Sequence, residues 1–186
     1  AIVLKIAFWL PQAVAVVANL EPRAVTRMRW GLVPSWAGDL SIGSRLVNAR
    51  AETVAAKPAF RALVRARRCV VLADGFYEWR REGRHARGVL FRMRSRRPFA
   101  FAGLWDSWHG GEGPAVRTCT ILTTTPNALV GALHDRMPVI LRRAHLDAWL
   151  SPLPLPGDPV DAWFEPWPEG DLEAIEVGDA VNRAGY

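Results

Sequence analysis

The run Cys69-Val70-Val71-Leu72-Ala73-Asp74-Gly75-Phe76-Tyr77-Glu78-Trp79-Arg80 decides the fold class. Its halves, Cys69 to Ala73 and Phe76 to Arg80, are strand-like, and Asp74-Gly75 between them is a turn signal. Reading outward, six more such segments appear: Val14 to Ala18, Arg27 to Leu32, Val89 to Met93, Phe99 to Gly103, Thr118 to Thr124 and Met137 to Leu141. All are short, rich in Val, Ile, Phe and Thr, and bounded by Gly, Pro or charge clusters. Helical signals cover Lys57 to Arg67, where Phe60, Leu63 and Val64 recur at helical spacing and Pro58 fits the first turn. Asn127 to Leu133, after Pro126, and Arg142 to Leu150 are the other two helix candidates. Many strands, few short helices and no regular βαβ alternation predict an α+β fold: a β-rich single domain whose mixed or antiparallel sheets form a barrel-like core.

The 186 residues, half of them hydrophobic, suffice for one substantial core, expected over about 14–150. Residues 151–186 read as a proline-rich extended stretch followed by a peripheral acidic tail, and Arg80 to Arg97, with Gly83 and Gly88, as a basic hairpin. No apolar run is long enough for a membrane helix. The opening Ala1 to Leu10, with Lys5 inside it, lacks the basic flank and cleavage site of a secretion signal, so no membrane partner is expected. Cys69 and Cys119 sit among strand formers with no histidine close in sequence; buried free thiols are expected, in keeping with a reducing cytoplasm. The four histidines and two cysteines show no ligand spacing, so no metal and no other cofactor is expected.

Charge is unevenly spread. Residues 1–146 carry a balance of +14 and residues 147–186 one of −8, which sum to the net +6. A basic body with an acidic tail points to a polyanionic partner for the body. Of the 24 basic residues only Lys5 and Lys57 are lysine, and the planar arginine fork suits bidentate phosphate contacts and stacking on bases. A GC-rich gene, which raises Ala, Arg, Gly and Pro together, is the competing account of that excess.

Several residues could carry chemistry. Strand alternation places Phe76, Glu78 and Arg80 on one face and Tyr77 and Trp79 on the other. Glu78 is either a solvated surface carboxylate or, within an apolar cleft, a general acid or base of raised pKa. His134 precedes Asp135-Arg136-Met137-Pro138 at a helix-to-strand junction, where side chains project from a rigid scaffold; it is a candidate for the same chemistry or a satisfied surface histidine. Asn48 and Arg50 alternate in Asn48-Ala49-Arg50-Ala51-Glu52-Thr53 and share a face if extended, whereas Glu52 and Thr53 are expected to cap the following turn. Trp30 and Trp36 flank Gly31 to Ser35; exposed, they would stack on unpaired bases. At least one is more simply a core residue, and Trp36 rather than Trp30 is expected to be exposed.

Trp30-Gly31-Leu32-Val33-Pro34-Ser35-Trp36, Asn48 to Thr53, Asp74 to Trp79 and His134 to Pro138, in that order, resemble the motifs of the SRAP domain (SOS-response-associated peptidase family). Members of that family crosslink to abasic sites in single-stranded DNA. The resemblance implies a catalytic set of Glu78 and His134, which move protons at the ring-opened sugar, with Asn48 orienting the sugar or the nucleophile. It implies a DNA-binding set of Arg50 and Arg136 on phosphate or sugar, with Trp30 and Trp36 as stacking platforms. It also implies single-stranded DNA with abasic sites as the partner, a monomer, and a cytoplasmic, nucleoid-associated location. The match runs from about Val14 to Leu150, with Val181-Asn182 similar to a late family segment.

Upstream the pattern departs. The family's nucleophile is an N-terminal cysteine, opening Cys-Gly-Arg, followed by an Asn-x-x-Pro segment; here the chain opens Ala1-Ile2-Val3, and Phe8-Trp9-Leu10-Pro11-Gln12 fits only at Pro11-Gln12. The family's stable adduct needs an α-amine to form a Schiff base and a neighbouring thiol to close a thiazolidine ring. Ala1 offers at most the amine, and Lys5 is another. The chain as written, truncated or diverged, is therefore expected not to form that stable adduct. A heat-resistant complex with abasic single-stranded DNA would contradict this. Two other functions compete: a non-catalytic nucleic-acid-binding module, and a thiol peptidase needing a cysteine beside His134.

Overall fold

The computed structural model of the chain describes residues 3–4, 12–82, 85–110, 113–153, 155 and 163–178. Ala1, Lys5, the segment from Phe8 to Pro11, Gly83 and Val181-Asn182, which entered the expectations above, lie outside them. In chain order the strands are β1 (Val3–Leu4), β2 (Ala13–Ala18), β3 (Val25–Trp30), β4 (Asn48–Arg50), β5 (Arg68–Ala73), β6 (Gly75–Glu82), β7 (His85–Met93), β8 (Phe99–Trp108), β9 (Val116–Thr124), β10 (Met137–Pro138) and β11 (Leu172–Val177). Short helices α1 (Leu63–Ala66), α2 (Ala128–Gly131) and α3 (Leu146–Trp149) complete the set, with brief 3-10 turns between.

Each of the eight expected strands forms, and two sheets result. One runs β1-β6-β7-β11; the other runs β10-β9-β3-β2-β5-β8, and an added β8–β9 pairing closes β9, β3, β2, β5 and β8 into a ring. The ring explains why β5, β8 and β9 are so apolar: both of their faces are covered. Along β5, β8 and β9, Cys69, Val71, Phe101, Trp105, Cys119 and Ile121 join one core cluster, while Val70, Ala102, Leu104 and Leu122 turn the other way into a second. The first cluster continues into the smaller sheet through Phe76, which stacks on Phe91 at 5.2 Å and meets Phe101 edge-on at 6.0 Å. Such pairs add about 0.5–1.5 kcal/mol beyond their buried area.

Asp74-Gly75 is not a hairpin turn. β5 and β6 belong to different sheets, so the pair marks a corner at which the chain steps from one sheet to the other. A Cβ on Gly75 would fall 2.7 Å from Leu90 Cδ1 and 3.0 Å from the Phe91 carbonyl oxygen, so closeness of approach demands glycine. β3 stops at Trp30 rather than Leu32 because Gly31 turns the chain at φ 108°. β10 is two residues long, with only an isolated bridge from Ile140 to Phe101 beyond it. The helices are shorter than their signals: α1 and α3 cover the ring's outer face with Leu63, Val64 and Trp149, while α2 sends Val130 into the inner cluster. Asn127 caps α2 by accepting from Val130 N–H at 2.9 Å.

The acidic tail is the main departure from expectation. β11 pairs antiparallel with β7 over six residues, from Leu172↔Met93 to Val177↔Gly88, and Leu172 is fully buried. Phe164 packs edge-on against Trp149 at 5.8 Å, and Asn127 donates to the Trp167 carbonyl at 2.8 Å. Two of the tail's acids are paired locally: Glu176 pairs with Arg80, and Glu173 with Arg92 at 2.8 Å and Arg96 at 3.2 Å. These two glutamates thus tie Arg80, Arg92 and Arg96 of the basic hairpin to the C-terminal strand. Truncating Leu172 to Ala is expected to cost about 2–5 kcal/mol in urea unfolding, as for a core leucine; a cost near zero would mean a dispensable tail.

Candidate functional site

The main-chain register of β9 gathers the candidate residues. β4 lies parallel to one edge of it, with Asn48↔Ile121 and Arg50↔Thr123. β10 lies on the other, with Met137↔Thr124 and Pro138↔Thr123. Thr123 therefore sits between the Asn48–Arg50 segment and the residues leading into Met137. Asn48 and Arg50 are both exposed and Ala49 between them is buried, the alternation a strand imposes.

Arg136 binds inward. Its two terminal nitrogens donate to the two carboxylate oxygens of Glu52, each at 2.8 Å, and Nη2 also donates to the Thr123 carbonyl at 2.6 Å. Glu52 accordingly caps nothing; the Arg136 fork holds its carboxyl below the usual range. The pair ties the turn after β4 to the start of β10 across the end of β9. It also occupies the fork that a phosphate contact by Arg136 requires.

Glu78 lies on β6 on the face of Phe76, half-buried where Phe76 is fully buried. Burial raises its carboxyl from 4.5 to about 6, against the charge of His134, with Asp135 adding to the rise. The three residues are thus brought within electrostatic reach from segments that sequence keeps more than fifty positions apart. The His134 Nδ1 accepts from the Arg136 N–H at 3.0 Å, which leaves the neutral ring's proton on Nε2 as a free donor. A protonated ring instead pairs through Nδ1 with Asp135, 3.2 Å away. The junction is therefore a half-buried acid beside an imidazole whose Nδ1 lies against both the Arg136 N–H and Asp135.

The tryptophans part company. Trp30 is 2% exposed, and its Nε1 donates to the Val47 carbonyl at 2.9 Å. Its ring has no open face for a base, which corrects the expectation of a stacking role there: the inward side of the ring must be filled. Trp36 is 65% exposed and borders a cleft of about 550 Å³ shared with Asn48, Arg50, Arg45 and Lys57. Arg45 and Lys57 were missed in the sequence. Arg45 ends a 3-10 turn that alternation cannot reveal, but Lys57, one of only two lysines among 22 arginines, was a visible anomaly.

Cys69 and Cys119 are free and fully buried, and burial pushes the Cys119 thiol up to about 12 and that of Cys69 well above its usual value. Neither can act as a thiolate beside His134. Among the described residues no group of three His, Cys, Asp or Glu side chains is placed to hold a metal ion, and no helix is long and apolar enough to cross a membrane.

The raised Glu78 carboxyl has a stability signature. Between pH 4.5 and about 6 the folded chain holds a proton here that the unfolded chain has lost, so stability falls as pH rises through that window. Glu78→Gln is expected to stabilise the fold above pH 6, by up to about 2 kcal/mol, and to lose that advantage below pH 4.5. Thermal unfolding of both proteins across pH 4–8 checks this, and a pH-independent difference would refute it.

The SOS response associated peptidase (SRAP) pattern matches residues 7–184. The chain is 43% identical over 157 residues to the abasic site processing protein YoqW of Bacillus subtilis (strain 168), covering 84% of this chain and 70% of that protein. It is 32% identical over 148 residues to the abasic site processing protein HMCES of Xenopus tropicalis, covering 67% of this chain and 44% of that one. A crystal structure of a protein from Bacteroides thetaiotaomicron superposes with a TM-score of 0.84 at 27% identity, over 93% of this chain and 77% of the other. Four motifs in the family's order, a shared fold and a pattern that spans nearly the whole sequence agree: the chain belongs to the SRAP family.

Proposed function

We propose that this chain processes abasic sites, as its relatives are named for doing, and that it binds them in single-stranded DNA. The observation that carries the reading is the Glu78 carboxyl, raised to about 6 and set beside His134. A group poised there is partly protonated near neutral pH, which general acid–base work demands. When an amine condenses with the aldehyde of a ring-opened abasic sugar, a hydroxyl must leave as water; Glu78 supplies its proton. His134 offers Nε2–H to the sugar oxygen freed by ring opening, and Asn48 orients the sugar. Phosphates fall to Arg50, Arg45 and Lys57 along the cleft, with the exposed Trp36 ring taking an unpaired base. Arg136 serves as the strut that holds Glu52, and reaches DNA only by giving that partner up.

Gel assays with an abasic and an intact single strand, run natively and after denaturing heat, test this. A native shift that favours the abasic strand is expected. Glu78→Gln and His134→Ala should remove that preference and leave binding to the intact strand unchanged. Arg50→Ala should weaken both strands alike and lower the slope of log K against log salt by about 0.7, the share of one single-strand phosphate contact. Equal affinity for the two strands would instead support a plain nucleic-acid-binding module. Any heat-resistant band locates the reacting amine by peptide mass.

A further inference from the structure

Trp36 stands out from the protein with little packing to hold it. It is 65% exposed, the cleft of about 550 Å³ borders it, and a second cavity of about 230 Å³, walled also by Arg67 and Asp106, borders it too. A side chain this exposed has little van der Waals contact to place it, so its position depends on the backbone that carries it. That backbone is a turn, closed by Ala37 N–H donating to the Pro34 carbonyl at 2.9 Å, with Ser35 and Trp36 at its centre.

The turn is gripped from the ring of strands at three successive points. The Thr118 Oγ1 accepts from Val33 N–H at 2.8 Å, Asp106 Oδ2 accepts from Ser35 N–H at 2.8 Å, and Trp108 Nε1 donates to the Ala37 carbonyl at 2.7 Å. Asp106 and Trp108 alternate on β8, and Thr118 faces Asp106 across the β8–β9 pairing. Asp106 is 3% exposed, and its other oxygen accepts from Ser107 N–H at 2.7 Å and from Arg67. The Trp108 ring is wedged against Gly110, where a Cβ would overlap it at 1.5 Å. A buried carboxylate and an indole N–H therefore hold the peptide groups on the two flanks of Trp36.

We propose that Asp106 and Trp108 are positioning residues for DNA binding: they act through the turn to fix the backbone from which the Trp36 ring projects as a stacking platform. The proposal rests on the single-strand reading above. A platform that is ordered before binding spares the entropy of ordering it on the strand, so releasing the clamp weakens binding although neither residue touches DNA.

The test uses the full chain and an intact oligothymidine strand, so lesion chemistry does not enter. Trp36→Ala is expected to weaken binding about tenfold. Trp108→Phe, which keeps the ring and removes the N–H donor, should weaken it about threefold. Asp106→Asn, which puts a donor where Ser35 N–H needs an acceptor, should do at least as much. In the Trp36→Ala background neither change should weaken binding further, because the platform they hold is gone. Amide exchange at Ser35 should quicken in Asp106→Asn without DNA present. Losses that add to that of Trp36→Ala, or single variants that bind like wild type, overturn the clamp and leave the DNA reading standing. A wild-type chain that binds neither intact nor abasic strands overturns both. Should Asp106→Asn fail to fold, Trp108→Phe decides alone.

Discussion

Val116–Thr124 is paired along both edges, and that double pairing supports everything else. β8 runs antiparallel on one side as far as Ile121, and β10 takes over at Thr123 and Thr124. On the other side β3 pairs at Thr118 and Cys119, and β4 continues the same edge from Ile121 to Thr123. A strand buried this deeply must satisfy every main-chain N–H and C=O, and an orphaned group costs about 1–3 kcal/mol. The chain between Trp30 and Asn48 has therefore to leave β9 and come back to it, and the loop so formed carries Trp36 and Arg45. The close crossing of Gly31 over Gly43 makes the return tight: a Cβ on either would lie within 2.8 Å of the other's carbonyl oxygen.

The distribution of charge follows from the fold rather than from composition. The net +6 is an average over two different surfaces. On the β7–β11 sheet, arginines meet the acids of the C-terminal strand, Arg80 with Glu176 and Arg92 with Glu173. Around the cleft, Arg45, Arg50 and Lys57 share the lining with no carboxylate. Three cations thus line the cleft where the proposed strand would lie, while Glu173 and Glu176 engage Arg80, Arg87, Arg92 and Arg96 of the hairpin.

At the other end of the site, position alone makes Glu78 unusual. A glutamate on an alternating strand is ordinarily solvated; here its face is shared with Phe76, which seals the junction between the two sheets. Desolvation lifts the carboxyl, and the loop from α2 to β10 brings His134 and Asp135 over it. The same loop is tethered by Arg136 to Glu52. One ion pair thus joins two of the motifs, and the loop it tethers lies over Glu78 of a third.

The period of two in the strands is a local property, because each residue's side is set by its neighbours' backbone, so it could be read without coordinates. It showed that Asn48 and Arg50 share a face, that Phe76 and Glu78 do, and that two cysteines among strand formers would be buried. The four motifs were legible for the same reason, each being a short contiguous string. What joins strings to one another was not. Glu52 and Arg136 are 84 residues apart, and nothing near either marks the partner. The C-terminal segment read as a solvated tail because its acids find their arginines only when β11 is already docked on β7. Asp74-Gly75 carries the same local turn signal in a hairpin as at a corner between sheets, and only the sheet each strand joins distinguishes them. Trp30 and Trp36 have similar flanks, yet one fills the ring and the other stands outside it. That difference depends on which side of the wall each lands, a matter of chain closure over distances that local periodicity does not encode.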